Sequence, residues 1–381
     1  MVEGTPDHSH VLAELQKHPA ALLVAYEEAH ADVERIVGPA PAIRWAEEGA
    51  RIAAQGPRAW EAATEYFRAS PKVVQVIGFP QFERWVESGI ELVQDSPVVA
   101  ASYFRASPSV LPTIAPRHIA GWAALGRSLS KGTWKSSSLA ARFFDVSDDL
   151  VQNVNFHELQ LFVSLVQALS NRSYDLAAEA LVLGQRVLPA VGEREELISL
   201  ATVLADTSWR EVRGSFEAAA RVGLSVDRRL RRRYFALTER LARMGMGNVS
   251  TFMIETAHSL ARLPQEEQTT VLERAEDLAD VSAEAVGAFL RTAPDVLARI
   301  SPVQLDTWFA QGMEYLHENP DGGVAYFKME SARAERLLES LSSSIELEKV
   351  RGLMTMYANA LAGMEVELQP TADITHKNIG W

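Results

Sequence analysis

Four segments of this chain share one pattern: a Trp, a Gly four residues later, then an aromatic pair. They read WAEEGARIAAQGPRAWEAATEYF, WVESGIELVQDSPVVAASYF, WAALGRSLSKGTWKSSSLAARFF and WFAQGMEYLHENPDGGVAYF. The repeated positions are Trp45, Gly49 and Phe67; Trp85, Gly89 and Phe104; Trp122, Gly126 and Phe144; Trp308, Gly312 and Phe327. From the Trp to the second aromatic the distance is 22, 19, 22 and 19 residues. A variable loop between two helices absorbs a difference of that size. Repetition of this kind constrains a chain to stack like units on one another, each burying the face that its neighbour leaves open.

Weaker copies fill the interval between the third and fourth strong ones, beginning at Phe162, Leu197, Phe235 and Val271. The period is about 35–40 residues, and about eight units tile residues 41–341. Each unit reads as helix, turn, helix. In the second, Trp85, Gly89 and Leu92 recur along one helical face. Gly there costs roughly 1 kcal/mol of helix propensity relative to Ala, which predicts a close backbone approach. Ser70-Pro71 and Ser107-Pro108 look like an N-cap followed by Pro at the first helical position. With the apolar run after Pro294, they predict a short third helix per unit, against which Pro112 argues in the second copy. The expected fold is all-α, a HEAT/armadillo-like helical-repeat array. Residues 1–40 form an N-terminal helical cap with a break at Pro19, and residues 342–363 a capping helix. Residues 364–381 are expected to form an extended tail leading toward a further module.

The chain's 381 residues, 47% of them apolar, are ample for a core, and as ordinary globular structure would make two or three domains. A net charge of -13 has the wrong sign for a generic duplex binder. Cysteine is absent, which removes disulfides, thiolate metal sites and cysteine nucleophiles. Glu3 and Asp7 stand where a signal peptide is basic, and no run approaches eighteen apolar residues. A cytoplasmic location is expected.

Motifs that carry chemistry are scarce. The sequence lacks a Walker-type phosphate loop, a dinucleotide-binding glycine fingerprint, an H-E-x-x-H helix and a G-x-S-x-G elbow. His8, His10, His18 and His30 are close enough in sequence to suggest a metal cluster, but exposed histidines on a cap are the simpler reading. Asp145, Asp148 and Asp149 form the densest carboxylate cluster. Their spacing is wrong for a D-D-x-x-D magnesium site. They occupy the place of the Ser-Pro segments, so capping of a helix start is expected. Arg228, Arg229, Arg231, Arg232 and Arg233 form the one strong basic focus and are the candidate partner-binding residues. Arg68, Arg105 and Lys328 each follow an aromatic pair and are expected to form a ladder between units, stacking on rings or pairing with Glu65 or Glu330. No catalytic, cofactor-binding or metal-binding residue is assigned.

The last unit and the segment after it carry a resemblance. Trp308, Gly312, Tyr326, Phe327, Lys328, Glu330, Ser331, Tyr357, Gly363, Val366, Leu368 and Pro370 match a pattern found ahead of the von Willebrand factor A domain. The proteins concerned are the nitric oxide reductase activation and CoxE-like accessory proteins, and the similarity is clearest over residues 305–371. It implies an adaptor working with a MoxR-type AAA+ ATPase, or with its client, in maturation of a metalloenzyme. The metal-binding D-x-S-x-S motif of that domain has no counterpart here: Asp145 and Ser147 are followed by Asp149. A non-catalytic helical scaffold that binds protein is therefore the first expectation. A nucleic-acid-binding array using the Arg228–Arg233 run, and an all-α magnesium enzyme using Asp145–Asp149, are the alternatives.

Overall fold

The computed structural model describes residues 9–131 and 134–329. All regular structure among them is helical, and the chain divides into two compact units, one through Ala220 and one from Arg221. The first unit holds α1 (Ser9–Leu15), α2 (Ala20–Val37), α3 (Pro39–Ala53), α4 (Ala59–Ile77), α5 (Phe79–Asp95) and α6 (Pro97–Val110). It continues with α7 (Ile119–Ser130), α8 (Trp134–Asn153), α9 (Phe156–Ser170), α10 (Tyr174–Val187) and α11 (Arg194–Thr207). The division falls within α12 (Glu211–Ser225). The second unit has α13 (Arg231–Arg243), α14 (Val249–Leu260), α15 (Gln265–Leu278), α16 (Ala283–Leu297), α17 (Pro302–Glu318) and α18 (Pro320–Phe327).

Local chemistry sets the helix boundaries. Pro19 separates α1 from α2, as its place in the sequence predicts. Gly38 and Gly78 adopt positive φ (86° and 72°), closing one helix while a following Pro opens the next. Asn155 with Glu158 and Ser301 with Gln304 form capping boxes at the starts of α9 and α17.

Packing sorts the first unit into two rows. Helices α2, α4, α6, α8 and α10 lie against one another in succession, as do α3, α5, α7, α9 and α11, and α3, α5, α7 and α9 each pack on the even helix after them. In the second unit α14, α16 and α18 succeed one another, α15 packs on α16, and α17 packs on α18.

The repeated letters hold these contacts. Trp45, Trp85, Trp122 and Trp308 are all buried. Each meets the second aromatic of its pair edge-on: Phe67, Phe104 and Phe144 at centroid distances of 5.0, 5.0 and 5.1 Å, and Phe327 at 5.3 Å. The tip of each Phe ring rests on the Gly one turn beyond the Trp. A Cβ added to Gly49, Gly89 or Gly126 would lie 2.1 Å from the ring's Cζ, and one added to Gly312 would lie 2.2 Å away. A ring end, rather than a second backbone, makes the close approach predicted at Gly89. The variable loop is also where the spacing placed it: residues 54–58 join the first pair, with the longer spacing, and Ser96 and Asn319 alone join the pairs with the shorter one.

A second regularity couples neighbouring pairs. Tyr26, Tyr66, Tyr103 and Phe289 each precede a repeat Trp by nineteen residues. Each ring packs on that Trp, at 5.6, 5.5, 4.9 and 5.6 Å respectively. The same tyrosines reach back to their own pair: Tyr66 Oη donates to Trp45 O at 3.0 Å and Tyr103 Oη to Trp85 O at 3.3 Å. Burial pushes both phenols well above their ordinary pKa, so they remain neutral donors.

The predicted third helix does not form as a separate element. Pro71, Pro108 and Pro294 lie inside α4, α6 and α16. An interior Pro costs about 3 kcal/mol, but Val73, Val74 and Val110 beyond it are buried and hold the helix in place. The Ser before the Pro has a different task from capping. Ser70 and Ser107 donate to the carbonyls of Tyr66 and Tyr103, at 2.6 and 2.7 Å. Ser107 Oγ also accepts the Trp85 indole N–H at 2.7 Å, and Ser147 Oγ accepts that of Trp122 at 3.1 Å. Replacing Ser107 by Ala strands a buried indole donor and is expected to cost about 1–2 kcal/mol, measured as a lower urea midpoint with unchanged slope.

The expected capping helix at 342–363 and tail at 364–381 lie outside the described residues, as do Glu330, Ser331, Tyr357, Gly363, Val366, Leu368 and Pro370.

Candidate functional site

The even helices of the first unit carry a line of paired charges on their outward face. Arg105 on α6 lies 3.7 Å from Glu65 on α4 and 3.6 Å from Asp145 on α8, while Arg68 lies 3.3 Å from Glu65. The second unit repeats the device: Lys328 meets Glu284 at 2.9 Å, and Arg291 on α16 meets Glu255 on α14 at 2.9 Å. At Arg105 and Lys328 the cation after the aromatic pair bridges to neighbouring helices of its row, as in the predicted ladder, whereas Arg68 pairs within its own helix. The expected alternative partner of Lys328, Glu330, lies outside the described residues.

Odd helices are clipped in the same way. Arg44 on α3 meets Glu83 on α5 at 2.8 Å, and Arg127 on α7 reaches back to Asp95 and Glu91 on α5 at 2.5 and 2.7 Å. Arg274 on α15 meets Asp306 on α17 at 2.7 Å. These partners are 32 to 39 residues apart. Each clip therefore joins a helix to its successor one period away. Exposed pairs of this kind contribute about 0–1 kcal/mol each, so they fix register more than they stabilise.

Around the even-row ladder the surface is hollowed. A groove of about 450 Å³ runs over α2, α4, α6 and α8, bordered by Trp60, Val98, Ala101, Arg68, Arg105 and Asp145. Val98 is 41% exposed despite being apolar. A second groove, of about 500 Å³, lies within the other unit between α14, α16 and the loop ahead of α14. Met244, Met246, Phe252, Glu255 and Arg291 border it, and Met244 is 48% exposed. Both place flexible or apolar contact surface beside oriented charges, a combination suited to a protein segment. Neither is visible as a motif, because its residues come from helices a full period apart.

The carboxylate cluster lies inside α8 and caps no helix start, since that helix runs unbroken from Trp134 to Asn153. Its side chains have separate partners. Asp145 faces Arg105, Asp148 accepts from Gln152 at 2.8 Å, and Asp149 accepts from Gln185 on α10. Among the described residues no group of three His, Asp or Glu side chains is arranged to hold a metal ion. His10 lies 3.4 Å from Glu47, His30 packs against Tyr26 at 5.3 Å, and His8 lies outside the described residues.

The arginine run straddles the start of α13. Arg228, Arg229 and Arg232 are exposed. Arg231 donates to Val226 O at 3.0 Å, and Arg233 binds Glu276 at 2.6 Å and Glu273 at 3.2 Å on α15. Those carboxylates raise the Arg233 pKa further, so its charge is committed to the fold. Arg231 and Arg233 are thus engaged by the fold, and the side chains of Arg228 and Arg229 face solvent.

No helix among the described residues is long and apolar enough to cross a membrane. Comparison with known proteins finds no family model, no curated protein and no solved structure that matches the chain.

Proposed function

We propose that the chain is a non-catalytic, HEAT/armadillo-like helical-repeat scaffold, cytoplasmic, that holds a protein partner along the outward faces of its even helices. The observation that carries this reading is the pair of open grooves, each set beside a ladder of oriented charges. Exposed Arg228, Arg229 and Arg232 add a cationic contact for an acidic partner surface. The separate engagement of Asp145, Asp148 and Asp149 by the chain's own side chains favours a scaffold over a magnesium enzyme. Against a nucleic-acid role stands the net charge of -13.

The resemblance of the last unit names the partner to try first: a MoxR-type AAA+ ATPase or its metalloenzyme client. Titration calorimetry with the purified proteins tests it. The chain binds one of the two, and Val98→Asp combined with Arg105→Glu weakens binding at least tenfold while helix content by circular dichroism is unchanged. Binding of the double variant at full strength would remove the groove from the reading. Absence of binding by the unaltered chain would remove this partner class.

A further inference from the structure

One side chain in the even-row groove of the first unit breaks the hydrogen-bonding habit of its neighbours. Buried hydroxyls in these helices donate to the carbonyl one turn back: Thr64 to Trp60 O at 2.8 Å, Ser70 to Tyr66 O at 2.6 Å, and Ser107 and Ser147 to Tyr103 O and Phe143 O at 2.7 Å. Ser102 on α6 does not. It is 3% exposed and borders the groove, and its hydroxyl has no partner among the described residues. Nor is that oxygen sealed inside the protein, as the Trp45 and Trp308 indole nitrogens are. It is an idle donor at a nearly buried position, and such groups call for an explanation. Glu65 and Arg142 take its place in the adjoining pairs, so the hydroxyl belongs to this site and not to the repeat.

Arg105 stands one turn along from Ser102 on the same helix. It lies 3.6 Å from Asp145 and 3.7 Å from Glu65, beyond hydrogen-bonding distance. Its charge is therefore balanced while its N–H groups stay uncommitted. Thr64, Ala101 and Ala141 hold one equivalent position on α4, α6 and α8, two residues before the aromatic pair, and all three are buried. Their small size leaves depth for a ligand's main chain. Trp60 and Val98 add apolar surface at the border.

These surroundings select a ligand that accepts hydrogen bonds, is largely apolar and brings no negative charge. A carboxylate or phosphate would suit both donors but meet Glu61, Glu65 and Asp145. An ordinary peptide strand would bring N–H groups as well, and two of those carboxylates are already engaged, Glu61 by Arg58 at 2.8 Å and Glu65 by Arg68 at 3.3 Å. A proline-rich segment offers carbonyls and apolar rings without the N–H groups. Its polyproline II helix repeats every three residues, or about 9 Å, and packed helix axes lie about 8–10 Å apart. Carbonyls one ligand turn apart therefore face Arg68 on α4 and the Ser102–Arg105 pair on α6.

We propose that this groove binds a proline-rich segment in the polyproline II conformation, its carbonyls taking the Ser102 hydroxyl and the Arg105 guanidinium and its rings lying on Trp60 and Val98. The proposal rests on the scaffold reading and narrows the partner to one that displays such a segment.

A fluorescein-labelled ten-residue oligoproline is the probe, followed by fluorescence anisotropy, with a Gly-Ser repeat of equal length for comparison. The unaltered chain binds oligoproline at least tenfold more tightly than the Gly-Ser peptide. Trp60→Ala weakens oligoproline about tenfold. Ser102→Ala weakens it about fivefold and leaves the urea midpoint unchanged, because the hydroxyl holds nothing within the fold. Circular dichroism reports whether each variant is folded. Absence of oligoproline binding, equal binding of the Gly-Ser peptide, full affinity in either folded variant, or a lowered midpoint in Ser102→Ala would overturn the proposal. The titration of whole partner proteins against Val98→Asp with Arg105→Glu does not use this peptide, so the groove reading stands or falls separately.

Discussion

Truncating Phe104 to Ala is expected to destabilise the fold by about 3–5 kcal/mol, the usual range for a fully buried aromatic. Phe104 has no solvent exposure. Its ring stands edge-on to Trp85 at 5.0 Å and to Tyr66 at 5.5 Å, with its tip over Gly89. Ala leaves a void walled by the rings of two successive pairs, which cannot collapse without shifting both. Urea denaturation followed by far-ultraviolet circular dichroism measures the effect as a midpoint displacement. A midpoint within error of the unaltered chain would mean that Phe104 is not a core residue. Since the loss extends over neighbouring helices, hydrogen exchange should rise in α4 as well as in α5 and α6.

Gly89→Ala is expected to cost ~3 kcal/mol, the upper end of the range for overpacking, although Ala is the better helix former by about 1 kcal/mol. The added methyl would lie 2.1 Å from Phe104 Cζ, and the other atoms of that ring are held by Trp85, Tyr66 and Tyr103. Combining the substitution with Phe104→Leu, which withdraws the ring tip, should recover part of the loss. The double variant is then more stable than the sum of the single effects predicts. Strict additivity would show that the Gly and the ring do not share one space.

How far the sequence revealed this arrangement depended on which helix carried the ring. Where a Trp and Gly precede the aromatic pair, the repeat could be read directly, as at Gly49, Gly89, Gly126 and Gly312, although the Gly, expected to meet a backbone, meets the Phe ring instead. Between these strong copies the roles are exchanged. Phe162 on the first helix of its pair rests on Gly184 of the second, where a Cβ would again fall 2.1 Å from Cζ. Tyr234 on α13 likewise sends its hydroxyl forward to Met253 O on α14, at 2.9 Å. The contact is kept while its order along the chain reverses, so a search for Trp, Gly and then aromatic passes over it. The fixed interval of nineteen residues from Tyr26, Tyr66, Tyr103 and Phe289 to the following Trp was also present in the sequence. It becomes conspicuous only once the contact between successive pairs is seen.

The Ser-Pro segments misled for a different reason. Ser and Pro at successive positions have the local preference of a helix start. Burial of the valines beyond them outweighs that preference, and the Ser hydroxyl is occupied by a carbonyl and, at Ser107, by an indole. For the same reason the three aspartates of α8 fall mid-helix. The grooves lay beyond any local reading, because Trp60, Val98 and Asp145 meet across three helices.

The seating of each Trp on a ring contributed by the preceding helix bears on how such a chain can lengthen or shrink. Excising one helix would leave a bare ring at one junction and an unfilled seat at the other. Removing a whole pair, such as α5 with α6, would bring Tyr66 up to Trp122 in place of Trp85, so that the new junction matches the old ones. Gain and loss by whole modules is thereby favoured, and the two-helix segment becomes the natural quantum of its evolution.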